Sequence, residues 1–279
     1  MDKIIEIDKN NLTARLQPNV TVGRLQQEVE KLGLFFPPDP SNLAVSTVGG
    51  AVALGAGGPR TLKYGGTKDY IINLKVVTQD GEIMQTSRDI AKNVTGYNLT
   101  QLFVGSEGTL GIITEITVKL IAKPEKRLLT LAYFDSIETA SNVVSKIIAS
   151  ALNPSVIDLL DQNTLQTIEK FNPCGLLTDK AAALLIELDG LEVCTDERQK
   201  RLGRILNDVK PHPVVVQARN EEENEAIWRA RRSAFGCVAK LKPNVITEDV
   251  VVPRTKIPEF VAEISRLSGK YGITVCIMG

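Results

Sequence analysis

Leu102-Phe-Val-Gly-Ser-Glu-Gly-Thr-Leu-Gly-Ile-Ile-Thr114 is the stretch that decides how this chain is read. An apolar run enters it, and a second, residues 111–120, leaves it. Between them Gly105, Gly108 and Gly111 recur at every third position. Glycine reaches positive φ and lets another group come close to the backbone. Three such points beside a buried-type strand suit backbone recognition of a flat or phosphorylated cofactor. The same spacing also suits a plain tight turn.

A second glycine cluster lies upstream with a different grammar. It runs Pro37-Pro-Asp-Pro-Ser-Asn-Leu-Ala-Val-Ser-Thr-Val-Gly-Gly-Ala-Val-Ala-Leu-Gly-Ala-Gly-Gly-Pro-Arg60. Ser46 and Thr47 offer hydroxyls, and Gly49 and Gly50 open a helix of small residues. The first amides of a helix have no partner inside it, so this start is expected to be an anion site. Gly55, Gly57 and Gly58 keep the next turn thin. The alternative is a small-residue helix packed tightly on a sheet.

The bulk composition narrows the class. The 279 residues suffice for one large or two ordinary domains. Hydrophobic residues make up 43%, which fits a packed globular protein. The 33 basic and 33 acidic residues balance and form no basic patch, which argues against a nucleic-acid partner. There is no apolar run long enough to span a bilayer, and Met1-Asp-Lys-Ile-Ile lacks the apolar core of a signal peptide. A cytoplasmic location is expected. Cys174, Cys194, Cys237 and Cys276 are scattered, against a zinc ribbon, an iron–sulfur motif or a CxxC site. The lone His212, between Pro211 and Pro213, is expected at the surface, and no metal site is expected.

Residues 4–7 and 12–16 alternate around a turn and predict a hairpin. Thr21 is expected to cap a helix with apolar Val22, Leu25, Val29 and Leu32, closed by Gly33. Residues 70–78 and 82–86 flank Gln79-Asp-Gly81 as a second hairpin, and residues 112–120 form a strand. Past Pro124 strands alternate with amphipathic helices. Strands are predicted at 128–134, 182–188, 213–218, 245–252 and 273–277. Helices are predicted at 137–151, at 155–171, from a Thr195 cap to Val209, after an Asn220 cap, and at 258–270. The Glu221-Glu-Glu223 turn suits the positive end of its helix. This pattern fits an α+β fold with an antiparallel sheet covered on one face.

Six segments, in order, carry a resemblance to a known family. They are Pro37-Pro-Asp-Pro-Ser41, Ser46-Thr-Val-Gly-Gly50, Ala56-Gly-Gly-Pro-Arg60, Lys63-Tyr-Gly65, Lys92-Asn-Val-Thr-Gly-Tyr97 and Phe103-Val-Gly-Ser-Glu-Gly-Thr-Leu-Gly-Ile-Ile113. Over nearly its whole length the chain resembles the FAD-linked oxidases with a PCMH-type flavin domain, in the glycolate oxidase large-subunit and D-lactate dehydrogenase branch. The resemblance implies a second flavin subdomain over residues 1–123 and an incomplete cap domain over 124–279. It implies an N-terminal subdomain with a pyrophosphate loop ahead of Met1 and a histidine-rich catalytic motif after Gly279, both outside these residues.

The same resemblance assigns roles. Pro40, Ser41, Ser46, Thr47, Gly49 and Gly50 match the loop at the pyrophosphate and isoalloxazine side of FAD. Gly57 and Gly58 match the next close approach. Glu107, Gly108, Gly111 and Ile113 match the loop at the adenine side. The family oxidises a 2-hydroxy acid by hydride transfer to flavin N5, which requires a cation for the carboxylate, ideally a bidentate arginine. The resemblance assigns this role to Arg231, since the family pattern is a tryptophan followed three residues later by an arginine, here Trp228-Arg-Ala-Arg231, and the two share a helix face. Arg229 and Arg232 are read as solvated or paired with the acids at 221–225. Glu248 and Asp249 match an acidic position facing the cap interior, and the absence of a lysine near Thr247 favours a monocarboxylate. The electron acceptor implied is a partner flavoprotein, an iron–sulfur subunit or a quinone, with membrane attachment through a partner and a homodimer as accompanying readings. The competing reading is a non-catalytic module that binds flavin or a partner. A nicotinamide Rossmann enzyme is excluded, since no GxGxxG follows a first strand.

Overall fold

The computed structural model describes residues 1–90 and 92–279. It divides into two units, Met1–Pro124 and Glu125–Gly279.

In the first unit β1 (Ile4–Asp8) and β2 (Thr13–Leu16) form an antiparallel hairpin. The Asp8 carboxylate shapes its turn by accepting the N–H groups of Asn10 and Asn11, both at 2.9 Å. Helix α1 (Val22–Glu30) starts at Thr21, whose hydroxyl accepts the Arg24 N–H at 3.3 Å. There follow β3 (Leu34–Phe35), α2 (Val48–Leu54), α3 (Thr61–Tyr64), β4 (Ile71–Val77), β5 (Ile83–Gln85), α4 (Leu99–Phe103), β6 (Ile112–Lys119) and β7 (Ile121–Ala122). The main sheet has the order β1-β2-β6-β4-β5 with every neighbour antiparallel, and β3 pairs with β7. Leu16, Leu25, Leu74, Ile116 and Leu120 are fully buried at its core. Each such side chain contributes about 2 kcal/mol of transfer free energy.

The second unit is built on β8 (Lys126–Phe134), α5 (Ile137–Ala149), β9 (Val156–Asp161), α6 (Gln162–Phe171), β10 (Ala182–Gly190), α7 (Glu192–Asn207), β11 (Val214–Gln217), α8 (Glu221–Val238) and α9 (Ile257–Tyr271). The sheet order β11-β8-β10-β9, all antiparallel, is that of a split β-α-β-β-α-β unit with α6 inserted between β9 and β10.

The expected single-sided cover is corrected. Strand β10 is apolar on both faces: Leu184, Ile186 and Leu188 join a cluster with α5 and α7, while Ala183 and Leu185 join one with Leu165 and Trp228. A strand buried on both faces reads as a continuous apolar run and needs a layer on each side. The single helix expected at 155–171 is also corrected. Residues Val156–Asp161 pair with β10, and the helix begins only at Gln162, where Asp161 accepts the Thr164 N–H at 2.9 Å. A short buried strand running into a helix mimics helical periodicity. Thr195 lies inside α7 rather than capping it, its hydroxyl donating to Leu191 O at 2.9 Å.

Two further strands expected from the sequence are not formed among the described residues. Residues 245–252 pair with no strand and leave Ile246 and Val251 exposed. Residues 273–277 are irregular, but the segment runs beside β9 through Leu159 N–H to Gly279 O (2.7 Å), Gly279 N–H to Leu159 O (3.1 Å) and Asp161 N–H to Ile277 O (3.1 Å). The Asp161 carboxylate also accepts the Ile277 N–H at 3.0 Å.

Candidate flavin-binding loops and carboxylate site

The two glycine clusters, far apart in sequence, meet in the first unit. The N–H of Gly105 donates to Val52 O at 2.9 Å, and that of Glu107 donates to Ala53 O at 3.0 Å. The loop thus docks its amides onto the C-terminal carbonyls of α2, which a helix leaves without internal partners. Gly55 ends α2 at φ +63°, and a Cβ there would lie 3.6 Å from Gly105 Cα. Gly108 has φ +79° with nothing within 4 Å of a Cβ position, so its backbone faces open space. Ser41, Gly50, Gly57, Glu107 and Gly108 are exposed, and Pro40, Ser46, Thr47, Gly49, Gly58, Gly111 and Ile113 are half-buried.

The expectation of free amides at the start of α2 is overturned. Val48 N–H donates to Val20 O and Gly49 N–H to Pro18 O, both at 2.8 Å, and Gly50 N–H donates to the Thr47 hydroxyl at 3.1 Å. These donors are spent inside the protein, because α2 docks end-on against the segment 18–20. Two glycines of the cluster are required by that packing. A Cβ at Gly49 would lie 2.4 Å from Pro18 Cβ, and one at Gly58 would lie 1.9 Å from Asp39 O. The tight-packing alternative therefore describes these two glycines, and the side chains and rim of the loops remain for a cofactor.

Below the loops Asp39 and Arg60 form an ion pair with both side chains buried, and the guanidinium lies 5.8 Å from the Phe35 ring centre. Gln26 donates to Phe36 O and Pro38 O, both at 3.0 Å, tying the proline-rich loop to α1. Sequence reading gave neither Asp39 nor Arg60 a role. The available signal was an acid enclosed by prolines, followed by an arginine after the glycines.

In the second unit α8 starts as expected at Asn220, which accepts the Glu223 N–H at 2.9 Å. Trp228 and Arg231 both turn toward the sheet. Trp228 Nε1 donates to Glu187 Oε2 at 3.1 Å, and Ser155 Oγ donates to Glu187 Oε1 at 2.9 Å. Arg231 holds Asp158 side-on, with Nε donating to Oδ2 and Nη2 to Oδ1 (3.3 Å). Its Nη1 points at Met278 Sδ, 3.7 Å away. Arg231 is thus a buttressed residue and not an ordinary surface arginine. Arg232 is half-buried with its guanidinium 5.2 Å from the Trp228 ring centre, and Arg229 is exposed. Asp158 and Glu187 were missed by sequence reading. Their signal was an acid inside an apolar strand, Val-Ile-Asp-Leu-Leu and Leu-Leu-Ile-Glu-Leu, since buried charge must be paired.

Other polar groups lie outside the Asp158–Arg231 pair. Glu248 and Asp249 are both exposed, not turned into an interior. His212 is exposed, its Nε2 2.5 Å from Lys210 Nζ. Burial, reinforced by Glu169, pushes the Cys174 thiol up to about 11, so it is no thiolate nucleophile at neutral pH. Burial raises Glu169 as well, but N–H groups from Cys174, Leu176 and Gly175 outweigh it and hold the carboxyl below its usual range. Burial pushes Tyr133 up to about 12.

Comparison with known proteins fits this arrangement. Residues 123–279 match the family described as FAD linked oxidases, C-terminal domain, and residues 1–87 match an FAD binding domain. The chain belongs to the FAD-linked oxidase family. It is 46% identical to the glycolate oxidase subunit GlcD of Bacillus subtilis, aligning all of this chain with 59% of that protein. It is 37% identical to the GlcD subunit of Escherichia coli K12, over 98% of this chain and 54% of the relative. It is 32% identical to a D-lactate dehydrogenase of Anaerostipes hadrus, over 100% of this chain and 60% of the relative. The chain therefore spans little more than half the length of the relatives it matches. Among solved structures, an alkyldihydroxyacetonephosphate synthase superposes with TM-score 0.82 at 21% identity, covering 100% of this chain and 57% of that one. A 4-ethylphenol oxidase from Gulosibacter chungangensis superposes with TM-score 0.73 at 15% identity, covering 99% and 61%. These two likenesses concern the fold alone. FAD is the cofactor of the family, and the open backbone at Gly108 and the accessible hydroxyls of Ser41 and Ser46 suit its ring edges and phosphates. Among the described residues no helix is long and apolar enough to cross a membrane.

Proposed function

We propose that this chain is the central part of an FAD-dependent dehydrogenase that oxidises a small 2-hydroxy acid, glycolate or D-lactate, to the 2-oxo acid. The observation that carries the reading is Arg231: a largely buried guanidinium, fixed by Asp158, with its Nη1 on nothing stronger than a thioether. Such a group suits the carboxylate of a small anion. The names of the relatives supply the substrate class.

In this reading residues 40–58 and 107–113 hold the cofactor. Ser41, Ser46 and Gly57 present hydroxyl and backbone groups without net charge, and Gly108 leaves room for a flat ring. FAD supplies the hydride acceptor when bound. Arg231 fixes the carboxylate and so orients the carbinol carbon, a positioning effect rather than chemistry. The reaction also needs a base to take the hydroxyl proton, a role this reading gives to none of the residues named here. The relatives named GlcD are subunits, which favours a partner subunit as electron acceptor, with a quinone or a homodimer as the other arrangements.

The test is the visible absorption spectrum of the purified protein, followed by anaerobic addition of glycolate or D-lactate. Bound flavin that bleaches with either acid is the expected result. Bound flavin that never bleaches would favour the competing cofactor-binding module, and a colourless protein that takes up no added FAD would sink both.

A further inference from the structure

We propose that Asp158 determines specificity at the carboxylate site: it holds Arg231 side-on, leaves one edge of the guanidinium for a single carboxylate, and repels a second one. The proposal rests on the reading of Arg231 as the carboxylate-binding residue.

A guanidinium carries five N–H donors arranged as two forks. Asp158 occupies the side fork, taking Nε and Nη2. The end fork, made by Nη1 and the outer hydrogen of Nη2, has Met278 Sδ beside Nη1 at 3.7 Å. A thioether is a weak acceptor, so a carboxylate oxygen replaces it at gain. Arg231 retains 17% side-chain exposure against 4% for Asp158, so the open edge is on the arginine and the acid is behind it.

The charge balance then sets what can bind. Asp158 on β9 lies opposite Leu185, and Glu187 on β10 lies opposite Val156, which makes the two acids diagonal neighbours on one sheet face. Both are buried, and both bond to α8, Asp158 through Arg231 and Glu187 through Trp228. Arg231 is thus already offset by Asp158. One carboxylate gains a charged, bidentate partner. A second carboxylate on the same small molecule finds the other fork of the guanidinium already taken and meets the Asp158 charge in a poorly screened setting.

Glycolate and tartronate, which is glycolate with one more carboxylate on the same carbon, separate these cases. Isothermal titration of the purified protein should show glycolate bound about tenfold or more tighter than tartronate. In Asp158→Asn the ratio should narrow about tenfold, with tartronate gaining most, while Asp158→Glu keeps the wild-type preference. Equal affinities in the wild type, or an unchanged ratio in a folded Asp158→Asn, overturn the proposal. A purely structural pair would lower the melting temperature and leave the ratio where it was. If Asp158→Asn does not fold, Asp158→Ser takes its place as the neutral variant, and an unchanged ratio there overturns the proposal in the same way. Should glycolate bind and be lost in Arg231→Met while the ratio ignores Asp158, only this proposal fails. Should the wild type bind neither acid, the carboxylate reading of Arg231 fails and takes the proposal with it.

Discussion

Each unit of this molecule buries an aspartate against an arginine, and the two pairs are closed to different degrees. Asp39 and Arg60 in the first unit retain 2% and 7% side-chain exposure, and the arginine stacks near Phe35 under the loops it joins. Asp158 and Arg231 in the second retain 4% and 17%, and Arg231 keeps a donor edge on a thioether. The first pair ties two loops together. The second leaves one edge of its arginine against a thioether and partly exposed. An ion pair in an apolar interior is therefore read by its leftover donors more than by its burial.

The largest effect is expected from opening the closed pair. Asp39→Ala leaves the Arg60 charge buried beneath the proline-rich loop and should cost about 3–5 kcal/mol in denaturant unfolding. A loss under about 1 kcal/mol would mean that the pair is solvated and that the contrast with Arg231 is false. Gly58→Ala should come next, at about 3 kcal/mol, because its Cβ would fall 1.9 Å from Asp39 O and push the same two loops apart. Gly108→Ala has open space and only the cost of φ +79°, about 1 kcal/mol. Equal losses for the two glycines would contradict the distinction between packed and open loops.

Arg231→Met tests the open pair from the other side. It should cost about 1–3 kcal/mol of stability, because Asp158 is left without its partner but the arginine's edge reaches solvent. Glycolate binding should disappear with it. A stable variant that still binds glycolate would separate Arg231 from the carboxylate.

The smallest effect concerns the Glu169 loop, a carboxylate held by three backbone amides and the Cys174 thiol. Its folded pKa lies below the ordinary 4.5, so the unfolded chain takes up the proton first as the pH falls. Its contribution is present above pH 4.5 and is lost as the pH drops through the folded value. Thermal melts of the wild type and Glu169→Gln should differ at neutral pH and converge below pH 4.5. A difference that grows on acidification would reverse the assignment.

The two hairpins, the first helix, the small-residue helix and the strand at 112–120 of the first unit were readable because their signals are local, whereas β3, α3, α4 and β7 were not. Thr21 and Thr47 cap the helices they precede, and Gln79-Asp-Gly81 turns one strand into the next. Such signals depend on side chains reaching backbone two or three residues away. The misreadings in the second unit share a cause. Residues 156–161 carry an apolar pattern that suits helix or strand equally, and pairing with β10 decides between them. Residues 245–252 have strand composition but pair with nothing among the described residues, and a strand exists only with a partner.

The candidate site divides in the same way. The sequence marked Arg231, the glycine loops and the family, since each is written in a contiguous motif. It could not show that the opening amides of α2 are consumed by Pro18 and Val20, nor that the loop at 105–107 docks on the end of that helix. Nor could it show that Asp158, 73 residues before Arg231, is the acid that orients it. Local chemistry fixes helices, turns and motif residues because its partners are neighbours in the chain. Which buried acid faces which arginine, and which glycine is packed rather than open, depends on contacts that arise only when distant segments are brought together in the fold.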